Sequence, residues 1–333
     1  MALVVNYYQT LIDVGLFLFF VIGAKVVILF TIRVPKPSVP RARRILWTGF
    51  GVWWLLSGVL QIFPWTVTHS PGALSHALYR YQPLSVIRAY HFFLIQWTSQ
   101  PVTWNILAVI FQVLFGIMLL TEAENIAGRI TLALAAVFAG IVWVIPEALG
   151  GMLSWPVSAA AGAPGAGLVA VVTAVLLLLP AGRWSASQTP ERIRQGLSAF
   201  FAVAAVVEAN PWSGLWGEGI AKIFAVSPVP WAQKLIGNAA QMAHNGSVVY
   251  NGVLAACFLS LAVVLWKNTG RWLTLGLAGA LLLWIWATGE GFGLVPSVGA
   301  NAGTAPLLFG LIMIAAGRPM GMTEAHTGPQ TQQ

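Results

Sequence analysis

Charge is scarce in this sequence. Lys, Arg, Asp and Glu make up 8% of its 333 residues, and only nine residues are acidic. An ordinary soluble domain carries roughly 25% charged residues, so a water-soluble globular domain is excluded. Cysteine is nearly absent. Cys257 stands alone, which rules out an intrachain disulfide, a Cys-x-x-Cys redox pair and a cysteine-rich metal site. A signal-peptide pattern is missing too: the first apolar run, Leu11 to Ile32, is too long for a leader core and has no basic residues before it. It is expected to be a retained span.

Apolar residues are abundant, at 58%. They fall in repeated runs of membrane-spanning length, the pattern of an integral multi-pass protein in a lipid bilayer. The net charge of +8 invites a nucleic-acid reading. The basic residues sit mainly in short loops between apolar runs, however, where they orient a membrane protein. No nucleic-acid partner is expected.

Nine spans are expected, about Leu11–Ile32, Ile45–Phe63, Asn105–Thr121, Ile130–Glu147, Pro164–Leu179, Leu197–Val207, Asn251–Trp266, Trp272–Glu290 and Ala305–Ala316. The sixth and ninth are short against the roughly 20 residues a bilayer needs, so their helices must extend or the membrane must thin. Pro35, Pro37 and Pro40 keep the basic loop Arg33 to Arg44 from being helical. Leu84 to Trp97 has the pattern of an amphipathic helix lying at the interface. From Arg318 the tail is polar and expected to be disordered.

The second half falls onto the first. Gln61-x-x-Pro64-Trp65 matches Glu208-x-x-Pro211-Trp212. Trp104-Asn105 matches Tyr250-Asn251, and Gly162-Ala-Pro164 resembles Gly303-Thr-Ala-Pro306. Trp-x-x-x-Glu-x-x-Gly occurs twice, as Trp143…Glu147…Gly150 and Trp286…Glu290…Gly293. The expected fold is all-α: an N-terminal helix and basic loop (1–44), a four-helix repeat (45–182), a linker (183–196), a second four-helix repeat (197–317) and a tail (318–333). An even number of spans per unit makes the repeats parallel. With the N-terminus outside, twelve basic residues fall in inner loops and the tail, and four (Arg80, Arg88, Lys222, Lys234) fall outside. The C-terminus is then cytoplasmic and the membrane a plasma membrane.

On that orientation Gln61, Glu147, Glu208 and Glu290 lie at the outer ends of spans, with Trp143 and Trp286 one helical turn before Glu147 and Glu290. These six residues define the candidate site, an outward-facing pocket with carboxylates and an aromatic wall. Withdrawing such carboxylates from water favours proton exchange or cation binding. The structural reading beside it is that each Glu caps or orients a helix end and pairs with a loop arginine. Asn105 and Asn251 read as helix N-caps, and Gln112 as an interhelical hydrogen bond. His69, His76, His91 and His244 follow no ligand spacing, so no metal site is expected. No cofactor is identified.

Ionisable residues clustered at the outer end argue for a membrane subunit with an outward-facing pocket for a small molecule. A proton- or cation-coupled transporter and a structural partner subunit of a membrane complex are the alternatives. The four-span unit with its Gln/Glu-x-x-Pro-Trp and Trp-x-x-x-Glu-x-x-Gly patterns resembles the DoxX-like four-helix membrane proteins. It also resembles uncharacterised multi-pass proteins of Gram-positive bacteria. The DoxX-like resemblance implies a helical bundle and a quinone-linked role.

Overall fold

In the computed structural model residues 2–31, 40–69, 84–122, 125–153, 155–185, 188–268, 270–295 and 302–317 are described, and they are helical with no strand among them. The principal helices are α1 (Ala2–Thr31), α2 (Arg41–Gln61), α3 (Leu84–Ser99), α4 (Pro101–Thr121), α5 (Ile126–Val144) and α6 (Ala166–Leu178). They continue with α7 (Gln188–Ala209), α8 (Pro230–Asn245), α9 (Ser247–Lys267), α10 (Arg271–Thr288) and α11 (Ala305–Ala316). Among the described residues α4, α5, α9 and α10 are long and apolar enough to cross a membrane. Their outward faces are apolar as well: Leu134, Val137 and Ile141 of α5 and Val253, Leu259 and Val263 of α9 are exposed. Water would penalise that surface, whereas lipid chains do not. The protein is a membrane protein with an all-helical fold.

Several element boundaries differ from expectation. Arg41, Arg43 and Arg44 belong to the first turn of α2 rather than to a loop, because the helix restarts directly after Pro40. Residues expected to form the linker 183–196 are largely helical, and α7 runs for 22 residues from Gln188. That is the extension its short apolar run required. Glu147 and Glu290 lie beyond the helices that precede them, which stop at Val144 and Thr288. Pro164 precedes α6 instead of opening it. The ninth run does not extend: α11 has 12 residues and α6 has 13, about 20 Å of helix against a hydrocarbon core of about 30 Å. The expected disordered tail, 318–333, lies outside the described residues.

One pairing scheme recurs. In the first half α2 packs along α4 and α5 along α6; in the second, α7 packs along α9 and α10 along α11. Small residues allow the closest approaches. A Cβ on Gly116 of α4 would lie 2.8 Å from the Leu55 backbone nitrogen in α2, so the helices touch backbone to backbone. Gly116→Ala is expected to force them apart and cost about 1–3 kcal/mol, read as a lower thermal midpoint in detergent.

The two ends of the bundle differ chemically. At one end arginines close helix C-termini. Arg43 is buried and donates to the Leu177 carbonyl at 2.7 Å, and Arg194 donates to Leu265 and Trp266 at 2.5 and 2.7 Å. Cations at these positions satisfy the last carbonyls and oppose the negative end of the helix dipole. The opposite end holds Gln61, Glu147, Glu208 and Glu290.

Candidate functional site

After Val144 and Thr288 the chain leaves helical geometry and folds back before α6 and α11 begin. Each Trp-x-x-x-Glu motif closes this excursion. The Trp143 indole N–H donates to the Pro164 carbonyl at 2.9 Å, and the Trp286 indole to the Ala302 carbonyl at 3.0 Å. The carboxylate then meets the start of the next helix. Glu147 accepts from the Gly167 amide at 3.1 and 3.0 Å, one bond to each oxygen. Glu290 accepts from the amides of Thr304 at 2.9 Å and Ala305 at 3.3 Å, and also from the Thr304 hydroxyl. The first amides of a helix have no partner within it and carry the positive end of the dipole, so a carboxylate is well suited there.

Glu147 and Glu290 therefore cap the following helix, and their partners are backbone amides and a hydroxyl rather than a loop arginine. This contact also resets the alignment of the two halves. Gly165 and Gly303 share a left-handed backbone, with φ of 97° and 84°, and each abuts its carboxylate. Pro164 and Ala302 each receive an indole. By these contacts Gly165 corresponds to Gly303 and Pro164 to Ala302, whereas the residue pattern pairs Gly162 with Gly303 and Pro164 with Pro306.

Both carboxylates border one cavity of about 380 Å³, whose wall also includes Ser158, Trp155, Thr304 and Lys222. Burial is the main influence on both and pushes both carboxyls above the usual carboxylate range. The Gly167 amide opposes the rise at Glu147, and the negative charge of Glu290 adds to it. At Glu290 the hydrogen bonds from Thr304 and Ala305 oppose it.

The other expected site residues lie elsewhere. Glu208, near the end of α7, is fully buried behind the cavity wall. It accepts from the Ser158 hydroxyl at 2.5 Å and the Ala160 amide at 3.3 Å, and so fastens the 158–162 segment of the first half to the second. Gln61 belongs to a separate buried network: its amide donates to Asn105 Oδ1, while Tyr7 donates to the Gln61 carbonyl at 2.8 Å. Neither Gln61 nor Glu208 borders the cavity, and Trp143 and Trp286 shape it only through the loop carbonyls they hold.

Asn105 and Asn251 are not N-caps. Each sits on the fifth residue of its helix, α4 or α9. Each donates its side-chain amide to the carbonyl at the end of the first helix of its half, Asn105 to Gln61 at 3.1 Å and Asn251 to Glu208 at 2.7 Å. Among the described residues no group of three His, Cys, Asp or Glu side chains is placed to hold a metal. His76 and Arg80 lie outside the described residues.

Sequence reasoning missed Ser158, Lys222 and Thr304. Thr304 had a signal, since a threonine just before Ala305-Pro306 marks a helix start. Lys222 had only its place among the four outer basic residues, because it comes from a segment far from either motif.

Fold and site together define an all-helical membrane protein with a two-carboxylate cavity at one end. No family model, curated protein or solved structure matches the chain.

Proposed function

We propose that this chain is a duplicated plasma-membrane bundle with an outward-facing pocket for a small molecule. In this reading it has nine spanning helices, counting α1, and two parallel four-helix units, with the N-terminus outside and the C-terminus cytoplasmic. The recurrent pairings, the paired Asn105 and Asn251 contacts and the two Trp–Glu closures support the duplication. The observation that carries the pocket is that Glu147 and Glu290, 143 positions apart, border one cavity.

Glu147 accepts from one helix amide and Glu290 from two amides and a hydroxyl, so each keeps some accepting capacity for a ligand. Because burial favours the protonated carboxyl, the pocket can also donate, and Lys222 adds a further donor. A small molecule with carbonyl acceptors, such as a quinone head group, is suited to that set. The resemblance to DoxX-like proteins makes a quinone the first ligand to try.

The test compares wild-type protein with the Glu147→Gln/Glu290→Gln double variant, both purified from membranes in mild detergent. Bound small molecules are extracted and identified by mass spectrometry. A ligand held by the wild type and reduced at least about tenfold in the inserted double variant is expected, as replacing two carboxyl O–H donors by weaker amide donors implies. Equal retention would remove the pocket from consideration.

A second reading has its own support. Both Trp–Glu motifs close the fold, which suits a structural subunit that docks on a partner in the membrane. Under it the Gln variants keep full function and still co-purify with that partner. A proton- or cation-coupled transporter is the weaker alternative, and would show itself as gradient-driven flux in proteoliposomes.

A further inference from the structure

The halves are not packed alike where they meet. α11 lies against α2, the first long helix of the other half. The corresponding neighbours α6 and α7 are splayed, and between them runs a groove of about 410 Å³ floored by α11. It extends the length of α6, from Pro164 just before the helix to Leu179 just after it, and its wall is mostly apolar, with Val172, Leu176, Leu197 and Phe200 lining it. At the basic end of the bundle it is bordered by two exposed guanidinium groups, Arg183 and Arg192. The acidic residue nearest in sequence, Glu191, pairs with Arg194 instead, at 3.4 Å.

We propose that this groove binds an anionic phospholipid, with one acyl chain along α6 and the phosphate held by Arg183 and Arg192. The physical case has three parts. An apolar groove facing hydrocarbon gains dispersion contacts when a chain fills it. Guanidinium groups pair with phosphate oxygens through a planar fork of donors. The groove is lined by residues from one end of the 13-residue helix to the other, about 20 Å, a length that suits a chain better than a compact ring. A zwitterionic lipid offers the same phosphate, but its ammonium group offsets that charge and is repelled by the two guanidinium groups, so a net anionic head group is favoured. The site lies at the opposite end of the bundle from Glu147 and Glu290 and does not depend on the reading of that pocket.

The full chain is purified in a neutral detergent and exposed to equal amounts of phosphatidylglycerol and phosphatidylcholine. Retained lipid is measured by native mass spectrometry, and thermal midpoints are recorded with each lipid and with inorganic phosphate alone. Wild-type protein is expected to retain phosphatidylglycerol preferentially and to be stabilised by it. Arg183→Gln/Arg192→Gln is expected to lose that preference by roughly 30-fold, with an unchanged midpoint in the absence of lipid because both side chains are exposed. Val172→Trp, which fills the groove, is expected to lose bound lipid of either kind while its arginines remain. Equal retention of the two lipids by wild-type protein would overturn the proposal. So would an undiminished preference in the arginine variant, or stabilisation by inorganic phosphate as large as that by phosphatidylglycerol.

Discussion

Replacing Glu290 with alanine is expected to destabilise the protein by about 2–4 kcal/mol, while glutamine at the same position costs less than about 1 kcal/mol. Alanine removes the acceptor of two backbone amides and a hydroxyl at the start of α11. The two amides are then left without partners in a partly buried place, while the hydroxyl can still donate to the Gly162 carbonyl at 3.1 Å. Glutamine keeps one acceptor oxygen for Thr304 and loses the charge and the longer contact to the Ala305 amide. Glu147→Ala should cost less, about 1–2 kcal/mol, because one amide depends on it. The measurement is thermal unfolding in detergent, with the alanine and glutamine variants at positions 147 and 290 side by side. Binding separates from stability in the same set: the Gln variants are expected to fold yet lose the pocket ligand, because the charge and the ionisable proton are gone. If alanine and glutamine at position 290 are equally mild, the carboxylate does not hold the helix start.

Gly150→Ala is expected to be the most damaging single-methyl change at the acidic end, at roughly 3 kcal/mol or more. Gly150 has φ of 63°, a backbone conformation that costs an ordinary residue about 1–2 kcal/mol. Its added Cβ would also overlap the Pro164 carbonyl, the same carbonyl that receives the Trp143 indole. Overpacking of this kind usually costs about 1–3 kcal/mol. Here the obstacle is backbone and cannot rotate away. Gly182→Ala is the control, since a Cβ there would meet nothing within 4 Å and its φ is not in the left-handed range. Thermal midpoints of the two variants should differ widely. A midpoint for Gly150→Ala close to that of Gly182→Ala would mean that the loop before α6 yields easily, and that the motif glycine is not needed for the closure.

The motif Trp-x-x-x-Glu-x-x-Gly is visible twice in the sequence, and its separate members do one joint task in the fold. Trp143 holds a loop carbonyl, Glu147 holds the helix start, and Gly150 makes room for the loop to come close. That task is invisible from spacing, because the partners Pro164 and Gly167 lie about one loop away and carry no side chain that marks them. The same limit explains the misreading of Asn105 and Asn251. An asparagine near the start of an apolar run has the signature of an N-cap, but Pro101 and Ser247 open these helices earlier. The side chains then reach a neighbouring helix end.

By itself the sequence determined the helical membrane class, the exclusion of intrachain disulfide and cysteine-metal chemistry, and the three places where a glutamate ends an apolar run. These are consequences of composition and periodicity, which act on each segment locally. Only the tertiary structure decided that Glu147 and Glu290 share a cavity while Gln61 and Glu208 stand outside it. It also decided that one contact between the halves is closed and the other open. Those outcomes depend on how two packed halves meet, and so on residues distant in the chain, such as Ser158 with Glu208 and Thr304 with Gly162.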